Sequence, residues 1–140
     1  MSESLQIAWS EDLSTGNPAM DAQHKYLIDI INELAEAIES GKAAQKLKTI
    51  LNLLKYYTEW HFEREEKCMH RLQCPSADAN IDAHKQFMET FAAFANEYES
   101  SGGAEEIAMR MYKTLVAWLV DHIQKIDGHL RHCTPAEEQA

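Results

Sequence analysis

The sequence has few of the residues that interrupt helices and no excess of basic residues. Only five Gly and three Pro occur among 140 residues, which favours helices with short connections over a many-stranded sheet. The formal net charge is -10, and a surface of that sign repels phosphate backbones and anionic lipid. We therefore expect neither a nucleic-acid partner nor a membrane partner.

The sequence also lacks the signals of export. No apolar stretch approaches the roughly 20 residues that a membrane span needs, and the first four residues have neither the basic region nor the apolar core of a signal peptide. We therefore expect a cytoplasmic protein. The three cysteines, Cys68, Cys74 and Cys133, show no C-x-x-C spacing. Their odd number and a reducing compartment favour free thiols over a disulfide or a zinc role.

Four segments carry apolar residues at the 3.6-residue spacing of an amphipathic helix. The first predicted helix, at about 18–39, begins with Asn17 as N-cap and Pro18 at the first helical position. Further helices are predicted at about 43–72, 77–99 and 104–131. Short connections favour antiparallel neighbours. The sequence thus predicts a single all-α domain over residues 1–140, an antiparallel up-down-up-down four-helix bundle.

Each predicted helix places a histidine on its apolar face, and two helices place a carboxylate there. His24, for example, precedes Leu27 and Ile28 by three and four positions. An unpaired buried carboxylate is costly, whereas imidazole and carboxylate together suit iron, manganese or zinc. Two ions fit such a set better than one. The candidate metal ligands are His24, His61, Glu65, His84, His122 and Asp127.

The spacing within the second and fourth helices differs. His61 and Glu65 are four residues apart and share one face, whereas His122 and Asp127 are five apart and would need a local widening such as a π-bulge. A lone inward histidine is more often a hydrogen-bonded core residue than a ligand. A structural or interaction bundle without metal is therefore the plain alternative, and the coincidence on four helices favours a metal site over it.

Three motifs resemble those of the hemerythrin family, in particular its single-domain bacterial members. The opening Trp9, Gly16, Met20-Asp21-Ala22-Gln23-His24-Lys25 and Asn32 are similar to the family's W…G…ID-x-QH-K…N. His61-Phe62-Glu63-Arg64-Glu65-Glu66, followed by Met69, resembles HF-x-x-EE-x-x-M. His122-Ile123 with Asp127 resembles HI-x-x-x-D. The resemblance covers nearly the whole chain.

This resemblance implies a non-haem di-iron site that binds dioxygen reversibly, for carriage, storage or sensing. A sensing role would need a separate protein partner. By resemblance, Glu65 and Asp127 would bridge the irons, His24 and His61 would hold the iron with an open position, and His84 and His122 would hold the other iron.

One departure from the family pattern concerns the third helix. The family's motif is H-x-x-x-H, and here it reads Asn80-Ile81-Asp82-Ala83-His84. An Asn80 oxygen that coordinates weakly, a water that enters, and a position that stays open all remain alternatives. The altered site also supports a second hypothesis, a redox enzyme of the peroxidase, oxidase or nitric oxide-handling kind. The remaining histidines, His70, His129 and His132, are predicted to lie on the surface.

Overall fold

Four long helices and no strand make up the structure, a computed structural model that describes residues 6–125 and 130–133. The helices are α1 (Pro18–Glu39), α2 (Ala43–Arg71), α3 (Ala77–Ser100) and α4 (Glu105–Lys125). A 3-10 turn at Glu11–Leu13 precedes them, and a short helix α5 (Leu130–Cys133) follows them. Each long helix packs on the next in sequence, and α1 also packs on α4. The predicted all-α four-helix bundle is confirmed.

Helix α1 begins where the sequence indicates a cap. Asn17 has an extended backbone, and its side-chain oxygen accepts a hydrogen bond from the Met20 backbone nitrogen at 3.2 Å. Pro18 occupies the first turn, where its missing N–H is not needed. The helix ends before Gly41, whose φ of +72° suits glycine at a helix carboxyl terminus.

Residues 6–17 form an amino-terminal strap that is hydrogen-bonded to α1. The Ile7 backbone nitrogen donates to Asn32 Oδ1, and Asn32 Nδ2 donates to the Ile7 carbonyl, both at 2.8 Å. Thr15 donates from its backbone nitrogen and its hydroxyl to Asp21 Oδ1 at 2.7 Å. The inward side of the strap contributes Leu13 to the core. Asn32 and Asp21 therefore have structural roles.

The bundle interior is apolar along most of its length. Buried Leu and Met side chains from α1, α2 and α4, with Phe87 and Phe91 from α3, fill it, and each such Leu contributes about 1.5–3 kcal/mol of burial free energy. Examples are Leu34, Leu47, Leu54, Met111 and Leu119. The part of the chain that the structure describes has no helix long and apolar enough to cross a membrane.

A disulfide joins Cys74, in the connection between α2 and α3, to Cys133 in α5, with Cα atoms 5.5 Å apart. The expectation that these two cysteines are free thiols is therefore wrong. They are 59 residues apart in sequence, and the alternating helix direction brings the α2–α3 connection and α5 to one end of the bundle. Cys68 remains a thiol and packs, partly buried, against the same small apolar cluster.

Candidate metal centre

The predicted ligands meet at one end of the bundle because the helices alternate in direction. His24 and His84 lie in the second turns of α1 and α3, whereas Glu65 and His122 lie towards the ends of α2 and α4. In an antiparallel bundle the starts of α1 and α3 are level with the ends of α2 and α4. The histidine on each long helix and Glu65 are all buried.

Two groups of three ligand atoms result, and Glu65 belongs to both. In the amino-terminal half of the centre, His24 Nε2 and His61 Nε2 lie 3.0 and 3.4 Å from Glu65 Oε2. In the carboxy-terminal half, His84 Nε2 lies 3.1 Å from Glu65 Oε1 and 3.2 Å from His122 Nε2. Within each group the three ligand atoms lie within 4.8 Å of one another.

Glu65 is fully buried among the imidazoles of His24, His61 and His84. Burial by itself raises the pKa of its carboxyl, but the charge of His61 and hydrogen bonds from the His24, His61 and His84 rings outweigh that effect. The pKa of Glu65 therefore lies well below its usual range. A cation between these groups would keep the carboxylate ionised for the same electrostatic reason.

Hydrogen bonds behind two of the histidines orient their rings. His61 Nδ1 donates to Gln23 Oε1 at 2.6 Å, and His84 Nδ1 donates to Glu66 Oε2 at 3.0 Å. A ring that keeps its proton on Nδ1 can offer Nε2, which lies beside Glu65, to a metal ion. Such outer partners fix the tautomer and increase the basicity of a metal-binding imidazole.

Asn80 completes the carboxy-terminal half. Its side chain is 0% exposed, and Nδ2 donates to Glu65 Oε1 at 3.1 Å. Its Oδ1 is buried and accepts no hydrogen bond from any group within the described residues. Since buried amide oxygens are normally satisfied, this oxygen beside a three-donor group fits a metal ion or a metal ligand as its missing partner.

Aromatic rings cover the carboxy-terminal half. Phe62 stacks on His84 with ring centroids 3.7 Å apart, and Trp118 stacks on His122 with centroids 4.5 Å apart. Phe87 contacts both Phe62 and Trp118. These contacts restrict the orientation of the His84 and His122 rings. On the amino-terminal side, Tyr57 stacks on His61 at the longer centroid distance of 6.4 Å.

The structure brings together five of the six predicted ligands, namely His24, His61, Glu65, His84 and His122. Asp127 lies outside the described residues, as does His129. His70 and His132 are exposed. The predicted fourth helix at about 104–131 corresponds to α4 and α5, with residues 126–129 between them outside the described ranges.

Sequence reasoning assigned no role to Gln23 or Glu66, which lie next to His24 and Glu65 along the chain. Both flank the buried faces of their helices, so apolar periodicity gives no signal for them. The signal that could have found them is their place in the motifs Gln23-His24 and Glu65-Glu66, combined with the need of metal-binding imidazoles for an outer acceptor.

Comparisons with known proteins agree with this geometry. The model of the hemerythrin HHE cation binding domain family matches residues 15–131. A bacteriohemerythrin of Pseudomonas aeruginosa strain LESB58 is 32% identical over 126 residues, which are 87% of this chain and 77% of the relative. A bacteriohemerythrin of Stenotrophomonas maltophilia strain R551-3 is 27% identical over 121 residues, 86% of this chain and 76% of the relative.

The bundle also superimposes on a solved structure. A chain described as crystal structures of a leucine-to-phenylalanine mutant aligns with a TM-score of 0.81 and 24% sequence identity, over 94% of this chain and 98% of that chain. This likeness supports the fold alone. The family match over most of the chain and the relative at 32% identity settle the classification, and the chain belongs to the hemerythrin family.

Proposed function

We propose that this protein holds two iron ions, one in each half of the centre, and binds dioxygen reversibly. The observation that carries the proposal is the pair of three-donor groups that share Glu65. A single carboxylate with one oxygen directed at each group is suited to bridging two cations. Imidazole and carboxylate donors suit iron in both positions, and the curated relatives are named bacteriohemerythrins.

The amino-terminal half is the proposed dioxygen position. His24, His61 and Glu65 supply three donors there, which leaves room for an external ligand at an ion that prefers six. When bound, the iron pair supplies the electrons and the open coordination position that dioxygen needs. Gln23 accepts a hydrogen bond from Nδ1 of His61, which keeps the ring proton on Nδ1 and leaves Nε2 available as a metal ligand.

Asp127 is proposed as the second bridging carboxylate, on the strength of its motif with His122. A second carboxylate would bring more negative charge to balance two divalent ions. The rings of Phe62 and Trp118 stack on His84 and His122 and would hold these two imidazoles in position for the ion.

Spectroscopy with metal analysis tests the proposal. The protein would be loaded with iron and reduced without oxygen, and its visible spectrum would be recorded before and after air is admitted. We expect two irons per chain and a band that forms in air and disappears on deoxygenation. The same chain stripped of iron should give no band. Two irons with no reversible band would overturn dioxygen binding, and no bound metal would overturn the whole proposal.

A redox enzyme is the second candidate, and the observation that favours it is Asn80. Its oxygen accepts no hydrogen bond within the described residues, and its side chain replaces a nitrogen donor at the carboxy-terminal position. An ion with fewer nitrogen donors would be more open to peroxide or nitric oxide. Sustained turnover of hydrogen peroxide or nitric oxide with a reductant would favour this candidate, and stable oxygenated protein would contradict it.

The cytoplasmic location expected from the sequence remains a proposal. Cytosolic reductants normally keep cysteine pairs such as Cys74 and Cys133 in the reduced thiol form. Alkylating the thiols in intact cells before lysis would show the state of the two cysteines. If the protein is cytoplasmic, we expect Cys74 and Cys133 to be reduced and therefore alkylated. An intact disulfide would indicate an oxidising compartment or a redox-active pair.

A further inference from the structure

We propose that the carboxy-terminal half holds an exchangeable water at its metal position, hydrogen-bonded to Asn80 Oδ1, and accepts a small anion in place of that water. The inference rests on the proposed two-metal function. It assigns a second external-ligand position to the centre, in addition to the one beside His24 and His61. Azide represents the ligand class, a small anion that binds iron end-on.

The two ends of the Asn80 amide have different surroundings. The nitrogen has a hydrogen-bond partner, because Nδ2 donates to Glu65 Oε1 at 3.1 Å. Its oxygen end is fully enclosed and accepts no hydrogen bond from the described part of the chain. A buried acceptor without a hydrogen bond destabilises the folded state, because it has lost its contact with water and gained nothing in return. A donor that is not part of the protein, such as water, would remove that cost.

The Asn80 side chain is shorter than the histidine that the family motif has at this position. An asparagine amide ends closer to the backbone than the Nε2 atom of a histidine does. Asn80 meets Glu65 Oε1 through its nitrogen, and the imidazole nitrogens of His84 and His122 approach the same region from α3 and α4. The amide oxygen is therefore better placed to accept a hydrogen bond from a ligand of the ion than to bind the ion itself.

The carboxy-terminal half has too few protein ligand atoms among the described residues to fill the coordination of an iron ion. The carboxy-terminal group, like the amino-terminal group, consists of three described ligand atoms, including one Glu65 oxygen. Even with a second bridging carboxylate, an ion that prefers six donors would keep positions for external ligands. Among the described residues, each half therefore has two imidazoles, and the carboxy-terminal half has no third one.

Azide titration of the iron-loaded, oxidised protein tests the inference. Azide gives a charge-transfer band on binding ferric iron, and the number bound per chain follows from the titration. We expect two azides for the wild type and one for Asn80→His, in which the added imidazole fills the second position. Asn52→His is the matched control, since Asn52 is exposed on α2, and it should bind two.

The outcomes separate the two proposals. A chain without two irons contradicts the proposed function. A chain with two irons that binds a single azide in the wild type contradicts the present inference and leaves dioxygen binding intact. This wild-type count decides the matter even if Asn80→His does not fold.

A second variant tests the role of the amide oxygen. Asn80→Ala keeps the position open but removes the acceptor, so the resident water is held less firmly. We expect the second azide to bind about fivefold more tightly, the equivalent of one ordinary hydrogen bond. The first azide is the internal reference, because any change that acts through Glu65 reaches both halves. Equal changes at both positions would overturn the role of Oδ1.

Discussion

The two halves of the centre have the same inner donors and different surroundings. Each offers two imidazole nitrogens and one oxygen of Glu65. Behind the amino-terminal half the outer acceptor is the neutral amide of Gln23, whereas behind the carboxy-terminal half it is the carboxylate of Glu66. Among the described residues, a buried amide, that of Asn80, and closely stacked aromatic rings adjoin the carboxy-terminal half and not the amino-terminal half. Differences between the two proposed metal positions should therefore come from the residues behind the imidazoles and Glu65.

Nearby surface pockets add to this contrast. A pocket of about 540 Å³ includes Gln23 together with Arg64, Lys67 and Arg71. Another, of about 420 Å³, includes His84 together with four Glu residues and one Lys. The surface beside the amino-terminal half is thus basic, and that beside the carboxy-terminal half is mainly acidic. Cations are favoured near the second pocket and anions near the first.

Removing the residue that both halves share should have the largest effect. Glu65→Gln keeps the shape of the side chain and removes its charge, so both positions lose their common donor. We expect iron affinity to fall by about a hundredfold or more at each position, measured as bound iron per chain after desalting. Glu63→Gln is the control, because Glu63 is exposed and pairs with Lys67 on the surface. Retention of two irons by Glu65→Gln would contradict the shared-carboxylate arrangement.

Removing one imidazole should affect one half alone. His61→Ala takes a donor from the amino-terminal position, and His122→Ala takes one from the carboxy-terminal position. We expect one iron per chain in each variant, with the other half still occupied. His70→Ala, on the exposed side of α2, should retain two. If either single variant lost both ions, the two positions would have to be treated as one inseparable unit.

The disulfide should affect stability rather than the number of ions. A cross-link between residues 59 apart in sequence lowers the conformational entropy of the unfolded chain, which raises its free energy by about 4 kcal/mol. We expect Cys74→Ser to lower the free energy of unfolding of the metal-free protein by about that amount in urea. Cys68→Ser, which leaves the disulfide in place, should cost less than about 1 kcal/mol. A chemical reductant should destabilise the wild type and leave Cys74→Ser unchanged.

Exchanging the outer acceptors should give the smallest effect and the sharpest comparison. Glu66→Gln gives the carboxy-terminal half the same neutral acceptor as its counterpart, and we expect about a tenfold loss of iron affinity there. Gln23→Glu makes the reverse change and should raise affinity in the amino-terminal half. Competition with a chelator measures both. Equal responses of the two positions to either variant would mean that the outer acceptors do not distinguish the halves.

The fold was largely predictable because its signals are local. Asn17 and Pro18 mark the start of α1, and the 3.6-residue period shows which side of each helix is buried. The same period shows that His24, His61, Glu65 and His84 face inward, and the alternation of helix direction then brings them to one end.

Other features depend on contacts that no local pattern contains. The bond between Cys74 and Cys133 joins the α2–α3 connection to α5, two segments that become neighbours only in the folded bundle. Gln23 lies at the flank of its helix, where periodicity distinguishes poorly between surface and interior. The two hydrogen bonds between Asn32 and the Ile7 backbone depend on how the amino-terminal strap crosses α1. Asn32 was recognisable as part of a motif, but its partner was not.

The Cys74–Cys133 bond also closes a covalent ring around the hairpin of α3 and α4. The ring contains His84, His122 and the connection with Gly102 and Gly103, both at positive φ. A protease that cuts within this connection leaves two fragments that stay joined through sulfur, whereas a cut at Gly41 separates α1 from the rest of the chain. His84 and His122 therefore stay covalently linked after a cut in this connection. His24 and His61 have no disulfide between their helices and would be separated by a cut at Gly41.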